Sequence, residues 1–322
     1  MTEKAQKRQY YSEVVNKVIT EIHHELIGQE TLIEHLLIAL FWKGHILIEW
    51  VPGLAKTLAV STLSKVVDLD FKRIQLTPDL LPSDLIGARV FNQATMDFSV
   101  KKGPIFSNFV LADEINRAPS KVQSALLEAM AEKQVSIGDQ SYTLESPFIV
   151  LATQNPIEQD GTYSLPEAQL DRFLLKTIVS YPNSDEEIQI MKQKTIGQHQ
   201  KLEIFLHKKD ILEIQSLIEQ EIHVEESIYE YVRDIVFATR RDDIHTRKLI
   251  QYGVSPRASI ALIVVAKVYA FLDGRDFVIP EDIKLAAFPV LRHRIILSYE
   301  ALADGINQDE IIQKILDKII IS

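Results

Sequence analysis

The chain has 322 residues, 46% of them hydrophobic and 8% aromatic, and its 35 Lys+Arg stand against 45 Asp+Glu for a formal charge of −10. This composition excludes global disorder and supplies apolar material for two domains, while a pI near 5.4 argues against a surface built as a whole for nucleic acid. Cysteine is absent, which excludes disulfides, thiolate nucleophiles, zinc ribbons and iron–sulfur clusters and fits a reducing cytosol.

The N-terminus, Met1-Thr2-Glu3-Lys4-Ala5-Gln6-Lys7-Arg8, runs into a helical pattern and not into an apolar core, so no signal peptide is read and a cytoplasmic protein is expected. The apolar stretches 36–42 and 260–266 end at Lys43 and Lys267, short of the roughly 20 residues a spanning helix needs. No membrane insertion is expected.

Between residues 11 and 42 apolar side chains recur at helical spacing (Val14, Val18, Ile22, then Leu32, Leu36, Leu40), broken at Gly28. Two helices joined at Ile27-Gly28-Gln29 are predicted. Short apolar runs follow at 45–49, 72–75, 108–113, 147–153 and 173–180, separated by helical stretches such as 121–132, where Val122, Leu126, Leu127 and Met130 share a face. Strands alternating with helices predict a five-stranded parallel sheet covered on both faces. Within this layer, residues 85–106 alternate around Asn92-Gln93-Ala94-Thr95, which predicts an inserted β-hairpin.

Past Tyr181-Pro182-Asn183-Ser184 the strand signals stop. Residues 186–194, 211–218, 226–239, 256–272 and 309–320 carry helical periodicity, and Ser255-Pro256 supplies an N-cap and an N1 proline to the fourth of these helices. An α/β domain over 1–183 and an all-helical domain over 184–322 are expected.

The strongest chemical signal follows the first strand: Trp50-Val51-Pro52-Gly53-Leu54-Ala55-Lys56-Thr57, leading into a helix. Such a loop cradles phosphates with backbone N–H groups, while its Lys reaches the β/γ-phosphates and its Thr binds Mg²⁺. Trp50 and Ala55 depart from the glycine pattern, and alone the motif is shared with ordinary strand–turn–helix junctions. Context adds weight. The strand 109–113 ends in Asp113-Glu114, a carboxylate for Mg²⁺ beside one that polarises water, and the strand 148–153 delivers Gln154 and Asn155. In a parallel sheet these strand ends meet at one carboxyl edge.

The motifs Glu49-x-Val51-Pro52-Gly53-x-x-Lys56-Thr57, Leu81-Pro82-Ser83-Asp84-Leu85-Ile86-Gly87, Gly103-Pro104-Ile105-Phe106, Ala112-Asp113-Glu114-Ile115-Asn116-Arg117-Ala118-Pro119, Ala152-Thr153-Gln154-Asn155-Pro156 and Leu165-Pro166-Glu167-Ala168-Gln169-Leu170-Asp171-Arg172-Phe173, in this order, resemble the MoxR family of AAA+ ATPases over nearly the whole chain. The resemblance implies an AAA+ P-loop core with a helix-2 insert at about 85–106 and a helical lid. It implies Walker A at 50–57, Walker B at 109–114 and sensor 1 at Asn155. ATP would be held by Ile27, Gly28, Gln29, Pro52, Gly53, Leu54, Ala55, Lys56, Thr57, Leu58 and Asp113, with Mg²⁺ on Thr57 and Asp113. Glu114 would polarise water, and Arg172 would act as an arginine finger across a subunit boundary. An Arg paired with Glu167 or Asp171 is the plainer alternative for that residue. Val254-Ser255-Pro256-Arg257-Ala258 resembles sensor 2, with Arg257 at the nucleotide in cis or in trans.

The family further implies ATP hydrolysis by a self-associated ring, a hexamer, remodelling or maturing client proteins by cofactor or metal insertion, with von Willebrand factor A-domain partners. One rival is a nucleotide-gated regulatory module in which Trp50 obstructs turnover. Another is a magnesium-chelatase-like subunit or a nucleic-acid motor, against which the −10 charge weighs. His23-His24-Glu25 is expected to be a solvated helix face, and the runs Arg240-Arg241 and Arg292-His293-Arg294 to face carboxylates or a neighbouring subunit.

Overall fold

The computed structural model of the chain describes residues 3–50, 56–93, 96–155, 163, 165–196, 202–240 and 248–320. Its strands are β1 (Ile46–Trp50), β2 (Phe71–Gln75), β3 (Gly87–Asn92), β4 (Asp97–Lys102), β5 (Phe109–Asp113), β6 (Gln134–Ile137), β7 (Gln140–Thr143), β8 (Ile149–Gln154), β9 (Leu175–Val179), β10 (Ile250–Tyr252) and β11 (Ile296–Leu297). Its helices are α1 (Glu3–Glu25), α2 (Glu30–Trp42), α3 (Lys56–Val66), α4 (Pro82–Ile86), α5 (Ser120–Glu132), α6 (Glu167–Leu170), α7 (Ser184–Ile196), α8 (Lys208–Glu221), α9 (Glu226–Ala238), α10 (Pro256–Leu272), α11 (Pro280–Leu291), α12 (Tyr299–Ala303) and α13 (Gln308–Lys318). Among them none is long and apolar enough to cross a membrane.

Tertiary contacts divide the chain into two units. One comprises Val14–Arg172 with Thr177–Leu212, the other Met1–Glu13, Phe173–Lys176 and Glu213–Ser322.

The first unit is built on the expected parallel sheet, in the order β2-β5-β8-β1-β9, with Leu175 and Lys176 at the start of β9 grouped by contacts with the second unit. Its middle strands are apolar almost throughout because helices cover both faces: every residue of β5 is buried, and so are Ile149 to Thr153 of β8. The edge strand β2 buries only Ile74, so its remaining side chains are free for other work. Registers Leu111↔Leu151, Ile46↔Leu151 and Gln75↔Asp113 bring the carboxyl ends of β2, β5, β8 and β1 to one edge.

His45, just before β1, is fully buried. Its Nδ1 accepts the Val150 N–H at 3.0 Å, which leaves the proton on Nε2, 3.2 Å from the Met130 carbonyl it meets. Burial pushes its pKa down to about 4, so the ring is neutral near pH 7.

The inserted hairpin is β3–β4, paired from Gly87↔Lys102 to Asn92↔Asp97. Its neck is tight. A Cβ on Gly87 would lie 2.2 Å from the Lys101 carbonyl and 2.6 Å from the Gly103 nitrogen, and one on Gly103 would lie 2.2 Å from the Leu85 carbonyl. The rings of Phe91 and Phe98 meet edge to face at 5.2 Å, with the Arg89 guanidinium 5.1 Å from the Phe98 centroid. A second hairpin, β6–β7, follows α5 and adds to the elements expected from the sequence.

The second unit is helical, with one correction to an all-helical expectation: β10 and β11 pair antiparallel as a short ribbon. Strands this brief leave too few residues for alternation to register. Ser255 caps α10 as expected, its Oγ accepting the Arg257 N–H at 3.2 Å. Helices α11 and α12 add to the expected set; α11 opens at Pro280 and carries Pro289 inside, which disguises its periodicity.

Candidate functional site

Asp113 ends β5 with its side chain 2% exposed, and a carboxylate buried that deeply needs partners. Thr153 Oγ1, from the adjacent strand β8, donates to Asp113 Oδ1 at 2.6 Å. Arg73 donates to Oδ2 through Nε at 3.1 Å and Nη2 at 2.6 Å. Arg73 and Gln75 alternate onto the same face of β2, and the register Arg73↔Leu111, Gln75↔Asp113 aims both at the end of β5.

Glu114 is the next residue and adopts φ 60°, ψ 55°, a left-handed conformation that costs a non-glycine residue energy and turns its side chain out of the strand direction. Its N–H is taken by Thr153 Oγ1 at 2.9 Å. One hydroxyl therefore orients both acids, accepting from Glu114 and donating to Asp113. The Glu114 carboxylate receives the Gln75 amide at 2.9 Å and pairs with Arg117 at 3.3 Å. Asn155, at the end of β8, is buried beside these ends.

Lys56 opens α3 and Thr57, half-buried, follows it. The expected phosphate-binding residues Pro52, Gly53, Leu54 and Ala55 lie outside the described residues. Trp50, at the end of β1, is 8% exposed, so its indole is turned into the protein and not toward solvent.

The Ile27-Gly28-Gln29 turn packs against the start of α7. The Gln29 amide donates to the Ser180 carbonyl at 3.1 Å, Gly28 is buried, and a Cβ there would meet the Glu186 carboxylate at 2.8 Å.

Leu58 lines a different space, a cavity of about 950 Å³ with Thr62, Lys65, Asp70, Asn108 and Lys208. Because Asp70 and Asn108 precede β2 and β5, this cavity lies at the amino edge of the sheet. It holds neither Asp113 nor Glu114, so the chemistry and this cavity are at opposite ends of the strands.

Arg172 is exposed, and its Nη1 donates to the Leu127 carbonyl at 2.6 Å. Arg257 is exposed at the first turn of α10. Of the basic runs, Arg240 donates to the Val254 carbonyl at 2.7 Å and lies over Phe237, while Arg292 holds Asp309 in a two-point pair. Arg241 lies outside the described residues. His24 pairs with Glu21 on α1, and among the described residues no three His, Asp or Glu side chains are placed to hold a metal.

The sequence assigns roles to Asp113, Glu114 and Asn155 but none to Arg73 or Gln75, nor to Thr153 and Arg117, which stand inside the motifs quoted above. For Arg73 and Gln75 the one signal is the parity of β2, where they flank the one buried residue, Ile74.

Known proteins resemble the chain over most of its length. A model of the ATPase family associated with various cellular activities (AAA) matches residues 45–175, and one of the AAA lid domain matches residues 243–315. The chain is 45% identical to "Chaperone MoxR1" of Mycobacterium tuberculosis over 95% of this chain and 81% of that protein. It is 31% identical to "Protein MoxR" of Methylorubrum extorquens, covering 86% of each. The crystal structure of a candidate ATPase from Cytophaga hutchinsonii superimposes with a TM-score of 0.93 at 51% identity, covering 98% of this chain and 97% of that one.

Proposed function

The chain belongs to the MoxR family of AAA+ ATPases, and from that premise we propose that it binds ATP with Mg²⁺, hydrolyses it within a self-assembled ring, and works as a chaperone on client proteins. The observation that carries this reading is Glu114, held at the mouth of β5 in a left-handed conformation by Thr153 and beside the buried Asp113. A carboxylate so placed accepts a proton from an attacking water.

The donor set suits the metal. Asp113 is an anion already holding a cation, the Arg73 guanidinium, and with the Thr57 hydroxyl it offers the hard oxygens Mg²⁺ prefers. When bound, the metal supplies charge neutralisation at the phosphates. Lys56 binds β/γ-phosphate oxygens, Asn155 orients the water or the terminal phosphate, and Ile27, Gly28 and Gln29 border the adenine. Arg257 acts on the terminal phosphates, and Arg172 of a neighbouring subunit completes the charge stabilisation.

In this reading 1–183 is the nucleotide-binding core and 184–322 the lid, the ring is a hexamer in the cytoplasm, and clients are matured by cofactor or metal insertion with von Willebrand factor A-domain partners. The name "Chaperone MoxR1" of the mycobacterial relative supports the chaperone assignment.

Steady-state ATPase activity of the wild type beside Glu114→Gln, across protein concentration, tests the reading. Turnover that rises with concentration and falls by about 10²–10⁴-fold in the variant supports it. ATP binding without turnover at any concentration overturns it.

A further inference from the structure

Four carbonyl-directed hydrogen bonds converge on the segment that continues from Arg172. The Phe173 carbonyl accepts from His293 Nε2 at 3.0 Å and from Arg294 Nη2 at 2.7 Å. The Leu174 carbonyl accepts from Arg294 Nη1 at 3.2 Å, and the Lys176 carbonyl from Arg292 Nη1 at 3.0 Å. All four donors come from three consecutive residues that follow α11, and Arg292 is itself fixed by two 2.7 Å bonds to Asp309.

We propose that Arg292, His293 and Arg294 form a clamp that positions Arg172, so that residues with no assigned contact to the nucleotide set the rate of hydrolysis on the neighbouring subunit. This rests on the reading of Arg172 as a finger acting in trans. Three observations carry it. By contacts, Arg172 ends the first stretch of one unit, which resumes at Thr177, and the intervening Phe173–Lys176 group with the residues that hold the clamp, so a single peptide bond links the finger to the clamped segment.

His293 also shows a preference for its donor over its packing. Its ring is buried, yet Nδ1 is buried without a hydrogen-bond partner, an expense an aliphatic side chain of similar size would avoid. The ring is retained where its Nε2–H reaches Phe173. Burial and the flanking guanidiniums of Arg294 and Arg292 push its pKa well below the usual histidine range, so it is a neutral, single donor.

Arg172 is also held by its N–H, which donates to the Gln169 carbonyl at 3.2 Å, and by its Nη1 at Leu127, while its side chain is exposed. An exposed arginine side chain samples many positions unless the backbone that carries it is closely fixed. A finger is worth about 10³–10⁵ in rate, and a misplacement of about 1 Å costs on the order of 10²-fold. Fixing the carbonyls of Phe173, Leu174 and Lys176, in addition to the strand β9 that starts at Leu175, further restricts where its Cα can be. The three clamp residues are thus positioning residues, acting through Arg172.

The test uses the full chain and mixed assemblies. His293→Leu removes the donor and fills the space, while His293→Gln keeps an N–H donor. Expected for His293→Leu is a loss of about tenfold or more in kcat, with the affinity for a fluorescent ATP analogue unchanged, and substantial recovery in His293→Gln. Mixed with Glu114→Gln subunits, which lack the carboxylate that accepts the water's proton but carry an intact finger, His293→Leu subunits regain turnover. Mixed with Arg172→Ala subunits, which lack only the finger, they do not.

The reverse pattern, recovery with Arg172→Ala and none with Glu114→Gln, places the defect in the variant's own site and overturns the clamp. Unchanged turnover in His293→Leu also overturns it. A control mixture of Arg172→Ala with Glu114→Gln separates the two levels. If that control does not recover, Arg172 is not a finger in trans, and the clamp falls with that reading; if it does, a failure concerns the clamp alone. Should His293→Leu not fold, Arg292→Lys, on the less buried end of the clamp, is carried through the same mixtures with the same expectation.

Discussion

Arg73 lays two guanidinium nitrogens, at 3.1 and 2.6 Å, on one oxygen of Asp113 while Thr153 holds the other at 2.6 Å. The arginine is 46% exposed and the acid 2%, so the pair is a surface cation reaching down to a buried anion. In the functional reading proposed above, that same oxygen set receives Mg²⁺, and the guanidinium competes for it. Arg73→Gln is expected to lower stability by about 1–2 kcal/mol in chelator, a figure discounted for the exposure of the cation. It is also expected to enlarge the rise in melting temperature that Mg²⁺ produces. Melts of both proteins with and without Mg²⁺ check this, and equal metal-induced shifts would contradict it.

Thr153 is the joint between the two acids. Thr153→Val keeps shape but removes both hydrogen bonds, leaving a buried carboxylate oxygen and a strained backbone N–H without their partner. Turnover is expected to fall by about 10–100-fold with nucleotide binding retained, whereas Thr153→Ser stays within a few fold. ATPase rates alongside analogue binding would separate the two effects; a valine variant with wild-type kcat would remove Thr153 from the site.

Much of this molecule is legible in its amino-acid sequence. The central strands announce themselves because helices cover both faces and leave only apolar residues, as in Phe109-Val110-Leu111-Ala112. Asp113 and Glu114 are legible because two acids ending such a run are conspicuous. Arg73, Gln75 and Thr153 are not, because each acquires its role from cross-strand register to residues 39 or 40 positions away. The hairpin β6–β7 is hidden for another reason: only Val135 and Ile137 of Gln134–Ile137 turn inward, too few to stand out beside the amphipathic α5. The sequence leads one to expect carboxylates or another subunit opposite Arg292-His293-Arg294; the additional partners of this run are main-chain carbonyls, which no side-chain pattern advertises.

Two of the buried histidines, His45 and His293, make stability depend on pH. His45, with its pKa lowered to about 4, and His293, lowered in the same direction, are neutral in the folded chain but bind protons when unfolded below about pH 6.5. The unfolded state therefore holds more protons in that window, and stability falls as pH drops from about 6.5 toward 4. For His45 alone the full excursion is roughly 3 kcal/mol. Urea denaturation at pH 7 and pH 5 measures it, and equal midpoints would show that these rings are not buried neutral.

Trp50 is turned into the protein, so shortening it opens a hole. Trp50→Gly is expected to cost about 3–5 kcal/mol, and Trp50→Phe clearly less, as read by thermal melts. If the indole obstructs turnover, the phenylalanine variant gains ATPase activity while remaining folded, and the glycine variant is the poorer probe. A glycine variant that melts with the wild type would show the indole is not packed.

The neck of the β3–β4 hairpin constrains what this chain can become. At Gly87 and Gly103 the two backbones pass so close that a single methyl group on either would fall 2.6 Å from the nitrogen of the other. Neither position can drift alone, and a change at one cannot be accommodated by trimming its counterpart, which has no side chain left to lose. Descendants of this sequence are free to rewrite the hairpin's tip, where Met96 and Phe98 are exposed, while its root is inherited as a pair.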